Sequence, residues 1–162
     1  MRPVAEPSGP AGIVSLLAAR GLTLATAESL TAGLVAATLA DVPGCSAVLQ
    51  GGVVAYQVGI KRTVLGVPED ALAAGVVSES VARAMAEAAR RVLDSDIGIG
   101  TTGVAGPDPH EGAPVGSVWI AVAAAGGTRS RHLVLSGDRT QIRRQTVAAC
   151  WELLAEMLVE RE

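Results

Sequence analysis

Short apolar segments typical of buried strands alternate in this chain with segments of helical spacing, and this order limits the folds it can adopt. Strands are predicted at 22–27, 47–56, 96–101, 117–125 and 129–136, and helices at 11–20, 31–40, 61–65, 78–93 and from 138 onward. Ser78 and Asp138 are predicted N-caps, the latter with Gln141 at N3 in a capping box. The order αβαβααβββα is typical of an α/β domain with a mixed sheet and helices on both faces. Gly126-Gly127 indicates a hairpin between the last two strands, which adds at least one antiparallel pair.

The composition fits one domain with a buried sheet. Hydrophobic residues make up 49% of the 162 residues, and nearly all of them are Ala, Val, Leu and Ile. This composition suits helices packed on a buried sheet, and the length suffices for one domain that buries most of its core. We therefore expect a single domain over residues 11–162 after a disordered, proline-rich tail at residues 1–10.

Charge and cysteine usage argue against several classes of partner and ligand. A net charge of −3, a pI near 5.4 and only two Trp and one Tyr disfavour binding of nucleic acid by a basic surface or by base stacking. The chain shows no apolar run of membrane-spanning length and no signal-peptide pattern, so we expect a cytoplasmic protein without membrane contact. Cys45 and Cys150 lie outside metal-ligand spacings, so we expect reduced cysteines and no metal site.

Lys61 and Tyr56 are unusual because the chain contains no other lysine and no other tyrosine. An arginine cannot give up its proton in a protein, whereas a desolvated lysine can. A lone lysine beside twelve arginines therefore indicates a need for a neutral amine, although an ordinary surface lysine explains the same observation. Tyr56 ends an apolar strand, where open α/β sheets bind ligands, and a half-buried ring is the alternative interpretation.

The loop Pro43-Gly44-Cys45-Ser46 contains two candidate nucleophiles. A serine in such a loop is commonly a turn residue. Cys45 would need a histidine as its base, and the sequence offers only His110 in a Gly- and Pro-rich loop and His132 on a strand. A Cys–His pair is therefore the weaker hypothesis.

Three segments are candidates for binding an anion or an oxyanion. The segment Ala27–Gly33 leaves a strand for a helix start, and Ser29 or Thr31 within it is equally suited as an N-cap. The loop TTGVAGP at 101–107 offers backbone amides, but it matches neither GxxxxGK[ST] nor GxGxxG. Arg139 places a cation in the first turn of the last helix, which an anionic ligand or simple solvent exposure explains.

Six sequence blocks occur in a fixed order: TAESLTAG at 26–33, DVPGCSAVLQGGVVAYQVGIKRTVLGV at 41–67, GVVSESVARAMAEAAR at 75–90, TGVAGP at 102–107, PVGSVWIA at 114–121 and GDRTQIRRQ at 137–145. Together they closely resemble the CinA C-terminal domain family, from about residue 11 to 160. The enzymatic members of that family are nicotinamide-nucleotide amidases.

The resemblance implies a fold and a reaction. The reaction is hydrolysis of the carboxamide of nicotinamide mononucleotide (NMN) to nicotinic acid mononucleotide and ammonia, in pyridine-nucleotide salvage. The fold is a three-layer α/β/α sandwich with a mixed, mainly parallel sheet, assembled as a homodimer without a metal or organic cofactor. Longer family members carry an additional molybdopterin-binding-like domain, and we expect this chain to be the stand-alone form.

The resemblance also implies roles for individual residues. Ser46 matches the nucleophile of the family's PGSS segment, with Tyr56 and Lys61 as activating groups, while Thr102 matches a hydroxyl residue of the TGVAGP segment. The substrate-binding residues that it implies are Glu28, Ser29, Thr31, Gly103, Ala105, Gly106 and Arg139.

Two departures from the family pattern leave alternatives open. Cys45 replaces the first serine of PGSS, which leaves open whether Ser46 or Cys45 attacks. Ala32 replaces the first glycine of TGG, which could reshape the anion pocket. Arg143 lies near the same helix start as Arg139, so either arginine is a candidate for binding the anion.

The mechanism that these roles imply has a geometric condition. Neutral Lys61, assisted by Tyr56, would remove the Ser46 proton while Thr102 and loop amides hold the carbonyl oxygen. A continuous strand between Ser46 and Tyr56 would separate them by roughly 30 Å. We therefore expect Gly51-Gly52, or a loop before it, to turn the chain back, or a second subunit to supply Ser46. The alternative functions are a catalytically silent nucleotide-binding module linked to competence or DNA damage, and an amidase for another small carboxamide.

Overall fold

The computed structural model describes residues 9–160 of the chain. Within that range five strands and six helices follow one another as α1 (Gly9–Arg20), β1 (Leu24–Glu28), α2 (Leu34–Ala40), β2 (Leu49–Val54), α3 (Val58–Thr63), α4 (Glu69–Ala74), α5 (Glu79–Leu93), β3 (Ile97–Gly103), β4 (Ser117–Ala124), β5 (Gly127–Val134) and α6 (Arg139–Val159). One turn of 3₁₀ helix at Cys45–Ala47 precedes β2.

The five strands form one sheet in the order β2-β1-β3-β4-β5. β1 pairs in parallel with β2 and with β3, whereas the β3–β4 and β4–β5 pairs are antiparallel. The predicted mixed sheet and the predicted hairpin at Gly126-Gly127 are thus confirmed. Because β1, β2 and β3 run in the same direction, their carboxyl ends at Glu28, Val54 and Gly103 meet at one end of the sheet.

The two faces of the sheet carry side chains of different size. One face presents large aliphatic side chains to α1, α2 and α6, namely Leu24, Ile97, Ile99, Val118, Ile120 and Val122. The other face presents alanines and glycines to α5, namely Ala25, Ala27, Gly98, Gly100, Ala121 and Ala123. Helices therefore cover both faces, and the predicted α/β/α sandwich is confirmed.

Two glycines of β3 allow α5 to lie very close to the sheet. A Cβ at Gly98 would lie 2.0 Å from the carbonyl oxygen of Ala86, and a Cβ at Gly100 would lie 2.4 Å from that of Ala82. Both distances are far below van der Waals contact, so a side chain at either position requires α5 or β3 to move. This packing fixes β3, whose last two residues line the main pocket of the molecule.

The predicted helix starts at Ser78 and Asp138 are confirmed. Ser78 Oγ accepts a hydrogen bond from Val81 N at the start of α5. Asp138 Oδ1 accepts one from Gln141 N, and Gln141 Oε1 accepts one from Asp138 N, which completes the capping box. The capping box fixes the first turn of α6 and, with it, Arg139.

β2 runs without interruption through Gly51-Gly52, so the expectation that the chain turns back at these residues is wrong. Gly51 pairs with Ala25 of β1, and Gly52 pairs with Thr26. A Cβ at Gly52 would lie 2.5 Å from Thr26 Oγ1. The close contact with a polar side chain of β1 therefore requires glycine at position 52, and no turn is involved.

Several helix boundaries differ from the predicted ones. α1 begins at Gly9, so residues 9 and 10 of the predicted tail are helical, while residues 1–8 lie outside the described residues. α2 begins at Leu34, three residues later than predicted, because Ala32 and Gly33 adopt left-handed φ angles of 50° and 95°. The short helix α4 has no counterpart among the predicted elements.

No helix within residues 9–160 is both long enough and apolar enough to cross a bilayer. Cys45 and Cys150 are free thiols, as expected. Burial, with a smaller contribution from the nearby Glu28 carboxylate, raises the pKa of the Cys150 thiol.

The contact between α5 and β3 predicts how two glycine substitutions differ. We expect Gly98→Ala to lower the free energy of unfolding by about 2 kcal/mol, because the new methyl group overlaps the Ala86 carbonyl. Gly51→Ala is the matched control, since its Cβ would lie 3.8 Å from the Leu93 side chain, and we expect a change of less than about 0.5 kcal/mol. Denaturant unfolding of both variants measures the difference. Equal stabilities would contradict the close packing of α5.

Candidate active site

A pocket of about 440 Å³ opens at the carboxyl ends of the three parallel strands. Open α/β sheets bind ligands at this end of their strands. Ser29 follows β1, Tyr56 follows β2 and Thr102 lies near the end of β3, so each of these strands delivers one polar residue to the pocket. The loop 103–111 and Arg139 at the start of α6 contribute further lining.

Lys61 lines this pocket although only 1% of the residue is exposed. From α3 its Nζ lies 2.7 Å from Ser29 Oγ, 2.7 Å from the carbonyl oxygen of Ala55 and 3.1 Å from that of Tyr56. Within residues 9–160 its hydrogen-bond partners include no carboxylate. Three neutral oxygen atoms therefore hold the amine, and no carboxylate of the described residues contacts it.

Burial lowers the pKa of Lys61 from 10.5 to about 8, because desolvation disfavours the charged ammonium. About one such lysine in ten is then neutral at pH 7, compared with fewer than about one in a thousand exposed lysines. A neutral amine retains two N–H donors and gains a lone pair. It can donate to the carbonyls of Ala55 and Tyr56 and accept the hydroxyl proton of Ser29, which is the arrangement that a general base needs.

Ser29 is held rigidly beside Lys61. The residue is 8% exposed, and its backbone N–H donates to the carbonyl oxygen of Thr101 at 3.0 Å and to Thr101 Oγ1 at 3.2 Å. Thr101 Oγ1 lies 2.8 Å from Thr31 Oγ1. Thr31, for which the resemblance implied substrate binding, is fully buried and does not line the pocket, and it supports Ser29 indirectly through Thr101.

Three backbone N–H groups of pocket-lining residues have no acceptor within the described part of the chain. The amides of Leu30, Ala105 and Gly106 make no hydrogen bond with any atom of residues 9–160. All three residues are buried and line the pocket. Buried backbone donors are normally paired, so these amides are available to an oxygen atom of a ligand, including one that becomes negatively charged.

Thr102 lines the pocket as well, but its hydroxyl is already engaged. Thr102 Oγ1 donates to the carbonyl oxygen of Val76 at 2.9 Å, and the residue is 1% exposed. The same proton cannot also be donated to a ligand oxygen. The hydrogen bond to Val76 therefore argues against the oxyanion-binding role that the resemblance suggested for the Thr102 hydroxyl, while Gly103, Ala105 and Gly106 line the pocket.

The structure distinguishes the two candidate arginines. Arg139 lines the pocket, where Nη1 donates to the carbonyl oxygen of Gly106 at 2.6 Å and Nη2 donates to Tyr56 Oη. Arg143 instead donates from Nε and Nη2 to the carbonyl oxygens of Leu30 and Thr31, at 2.9 and 3.0 Å. Arg139 is therefore the arginine that can meet an anion, and Arg143 fixes the segment that follows Ser29.

Glu28, which the resemblance suggested as a substrate-binding residue, does not line the pocket. Alternation along β1 turns its side chain toward α2, where it is 1% exposed. Oε1 accepts a hydrogen bond from Val35 N at 2.8 Å, and Oε2 accepts hydrogen bonds from Ala36 N at 3.1 Å and Thr26 Oγ1 at 3.0 Å. The carboxylate thus accepts hydrogen bonds from backbone N–H groups in the first turn of α2 and has a structural role.

The structure does not bring Ser46 to Lys61 within one chain. Ser46 is exposed in the 3₁₀ turn before β2, whereas Tyr56 and Lys61 follow the other end of that strand. The six residues of β2 span about 17 Å, and no turn shortens this path. Within one chain the geometry therefore does not pair Ser46 with Lys61, and the serine beside Lys61 is Ser29.

One sequence signal could have identified the pairing of Ser29 with Lys61. Ser29 directly follows β1, which is the central member of the three parallel strands, and the residues after parallel strands meet at one end of a sheet. Ser46 precedes its strand and therefore lies at the opposite end.

Within residues 9–160 no group of three or more His, Cys, Asp or Glu side chains is placed to hold a metal ion.

Comparisons with known proteins agree with this architecture. The CinA C-terminal domain model matches residues 8–158. A CinA-like protein of Frankia casuarinae is 47% identical over 147 residues, which cover 90% of this chain and 34% of that protein. A putative competence-damage inducible protein of Geobacillus kaustophilus is 52% identical over 141 residues, which cover 86% of this chain and 34% of that protein. The chain thus spans about a third of the length of these curated relatives.

Solved structures are similar as well. The competence damage-inducible protein A (ComA) of Klebsiella pneumoniae superposes with a TM-score of 0.91 at 34% identity, covering 94% of this chain and 96% of that chain. The competence/damage inducible protein CihA of Agrobacterium tumefaciens superposes with a TM-score of 0.84 at 36% identity, covering 88% of each chain. Sequence and structure together show that this chain belongs to the CinA C-terminal domain family.

Proposed function

We propose that this chain hydrolyses the carboxamide of NMN to nicotinic acid mononucleotide and ammonia, with Ser29 as the nucleophile and Lys61 as the general base. The observation that carries the proposal is the 2.7 Å contact between Lys61 Nζ and Ser29 Oγ in a pocket that lowers the pKa of the lysine to about 8. A lysine made neutral by burial is a known way of activating a serine hydroxyl. The resemblance to nicotinamide-nucleotide amidases supplies the substrate.

In the acylation step, Ser29 attacks the carboxamide, Lys61 transfers the protons and backbone amides bind the oxyanion. Neutral Lys61 removes the hydroxyl proton while Ser29 Oγ forms a bond to the carboxamide carbon, and the carbonyl electron pair moves to oxygen. The amides of Leu30, Ala105 and Gly106 stabilise this oxyanion. When the carbonyl re-forms, the carbon–nitrogen bond breaks and the Lys61 ammonium gives its proton to the leaving nitrogen. Ammonia departs and an ester of Ser29 remains.

Deacylation uses the same protein groups, with water in place of Ser29 as the nucleophile. Lys61, neutral again, takes a proton from a water molecule while the water oxygen attacks the ester carbon. The second tetrahedral oxyanion uses the same three amides. When it collapses, Ser29 Oγ leaves with the proton from Lys61, and the nicotinic acid product is released. One base therefore serves both halves of the reaction, and every proton that it takes is returned.

Arg139 is suited to the phosphate of NMN. Its guanidinium lines the pocket, and among residues 9–160 only two of its five N–H donors have acceptors, Gly106 O and Tyr56 Oη. Charge-assisted, bidentate hydrogen bonds between arginine and phosphate are among the strongest in proteins. Ser29 and Arg139 would therefore hold the two ends of the substrate.

Substitution of the two candidate serines tests the nucleophile. We expect Ser29→Ala to lower the rate of ammonia release from NMN at least about a thousandfold, and the matched control Ser46→Ala to retain the wild-type rate. Lys61→Arg should be as inactive as Ser29→Ala, because a guanidinium stays protonated. Thermal unfolding of each variant establishes that it is folded.

The outcomes of this assay separate the alternatives. Loss of activity in Ser46→Ala with normal activity in Ser29→Ala would reinstate Ser46, supplied by a second subunit. Absence of turnover in folded wild type would overturn the amidase and favour a silent nucleotide-binding module. Equal turnover of NMN and of an unphosphorylated carboxamide would favour another amide as the substrate.

The lowered pKa of Lys61 predicts a pH profile. Only the neutral amine can accept the Ser29 proton, so kcat/KM should rise about tenfold per pH unit below pH 7 and level off above about pH 8. Steady-state kinetics between pH 6.5 and 9.5 measure the profile. A rate that is constant over this range, or that falls as the pH rises through 8, would contradict Lys61 as the base.

Arg139 can be tested by comparing NMN with nicotinamide riboside, which lacks the phosphate. We expect Arg139→Gln to reduce the preference for NMN over the riboside by about tenfold or more, because charge-assisted hydrogen bonds are lost. Arg143→Gln is the control, since that side chain binds backbone carbonyls and does not line the pocket. It should lower thermal stability without changing the preference. An unchanged preference in Arg139→Gln would exclude Arg139 as the phosphate ligand.

A further inference from the structure

Two carboxylates line the pocket, and the proposed reaction assigns neither of them a role. Asp108 and Glu111 both line the pocket from the loop after β3. Glu111 Oε2 accepts a hydrogen bond from Val76 N at 3.3 Å, and the carbonyl oxygen of the same Val76 accepts one from Thr102 Oγ1 at 2.9 Å. Through Val76, these two bonds connect the Glu111 carboxylate to Thr102 near the end of β3.

The remaining oxygen of Glu111 is available to a ligand. Oε1 accepts no hydrogen bond from residues 9–160, and its one charged neighbour there is His110 Nε2 at 3.9 Å, an ion pair only when that imidazole is protonated. Glu111 also adopts a left-handed φ of 47°, which residues other than glycine take uncommonly. The loop thus keeps a charged residue at a position where glycine would fit more easily.

The pocket therefore contains charges of both signs in different places. The Arg139 guanidinium is bound to Tyr56 and Gly106, whereas the Glu111 carboxylate is bound to Val76. NMN also carries both signs, because its phosphate is negative and its N-ribosylated pyridinium ring is positive. The reacting carboxamide is attached to that ring, so a carboxamide at Ser29 brings the positive charge into the pocket.

We propose that Glu111 is a specificity-determining residue that recognises the positive charge of the pyridinium ring, so that the pocket takes oxidised NMN in preference to its reduced form. This inference rests on the proposed amidase function. Reduced NMN has the same ribose, phosphate and carboxamide, but its dihydropyridine ring is uncharged. Shape and the contact with Arg139 cannot separate two ligands that differ in this way. A carboxylate beside the ring can, because its attraction acts on only one of them.

Binding measurements in an inactive background test this proposal. Calorimetry gives the Kd of NMN and of reduced NMN for Ser29→Ala, and for the same protein carrying Glu111→Gln or Glu87→Gln. Glutamine can still accept the hydrogen bond from Val76 N, so the loop keeps its anchor. Glu87 is the control because its carboxylate is bonded to Thr128 on the surface and does not line the pocket.

We expect the preference for NMN over reduced NMN to be lost in Glu111→Gln and kept in Glu87→Gln. Glu111→Gln should weaken the binding of NMN about five- to tenfold and that of reduced NMN less than about twofold. Glu87→Gln should change neither. If Glu111→Gln weakens both ligands equally, the residue only anchors the loop, and the proposal is overturned. An unchanged ratio of the two affinities overturns it as well.

Failure of the amidase function would be seen separately. Wild-type protein that releases no ammonia from NMN removes the basis of both proposals. If wild-type protein turns over NMN but Glu111→Gln keeps the wild-type ratio of affinities for NMN and reduced NMN, the amidase function stands and only the role of Glu111 is overturned. If Ser29→Ala binds neither ligand, the KM of NMN and the inhibition constant of reduced NMN in wild type and Glu111→Gln give the same ratio, with the same expectations.

Discussion

The burial of Lys61 without a counter-ion is the constraint on which the rest of the site depends. Lowering its pKa from 10.5 to about 8 means that the folded state at neutral pH is less stable by about 3 kcal/mol than it would be with an unperturbed lysine. The three oxygen atoms of Ser29, Ala55 and Tyr56 satisfy its hydrogen bonds without neutralising its charge. A carboxylate at the same place would stabilise the protein and hold the amine in its protonated form.

The fold keeps these oxygen atoms in place by tying down the segments that follow β1 and β3. Glu28 binds the first turn of α2, and Arg143 binds the carbonyls of Leu30 and Thr31, so the chain around Ser29 is held from both sides. The close packing of α5 on Gly98 and Gly100 fixes β3 in the same way. Side chains that never touch the pocket therefore determine its geometry.

The sequence predicted the layers of the fold and singled out Lys61, which is buried in the pocket, but it did not predict the partner of Lys61. Periodicity and the caps at Ser78 and Asp138 depend on local contacts, which a sequence reveals directly. Whether Ser29 or Ser46 meets Lys61 depends on strand direction and order, which are properties of the whole sheet. Gly51-Gly52 was misleading because Gly52 is required by a close contact with Thr26 of β1 and not by a turn. The engagement of the Thr102 hydroxyl with Val76 depends on a segment 26 residues away, which no local pattern indicates.

Tyr56 contacts both Lys61 and Arg139 through different parts of one residue. Its backbone carbonyl accepts a hydrogen bond from Lys61, and its phenol oxygen is bound by Arg139. In the proposed mechanism, the length of the side chain keeps a permanent cation apart from the amine that acts as the base. A guanidinium in contact with Lys61 would lower the pKa of that amine further, but it would not be free for the phosphate proposed to bind at Arg139. The half-exposed ring of Tyr56 therefore acts as a spacer, and its position after β2 follows from the same parallel strand ends that bring Ser29 to Lys61.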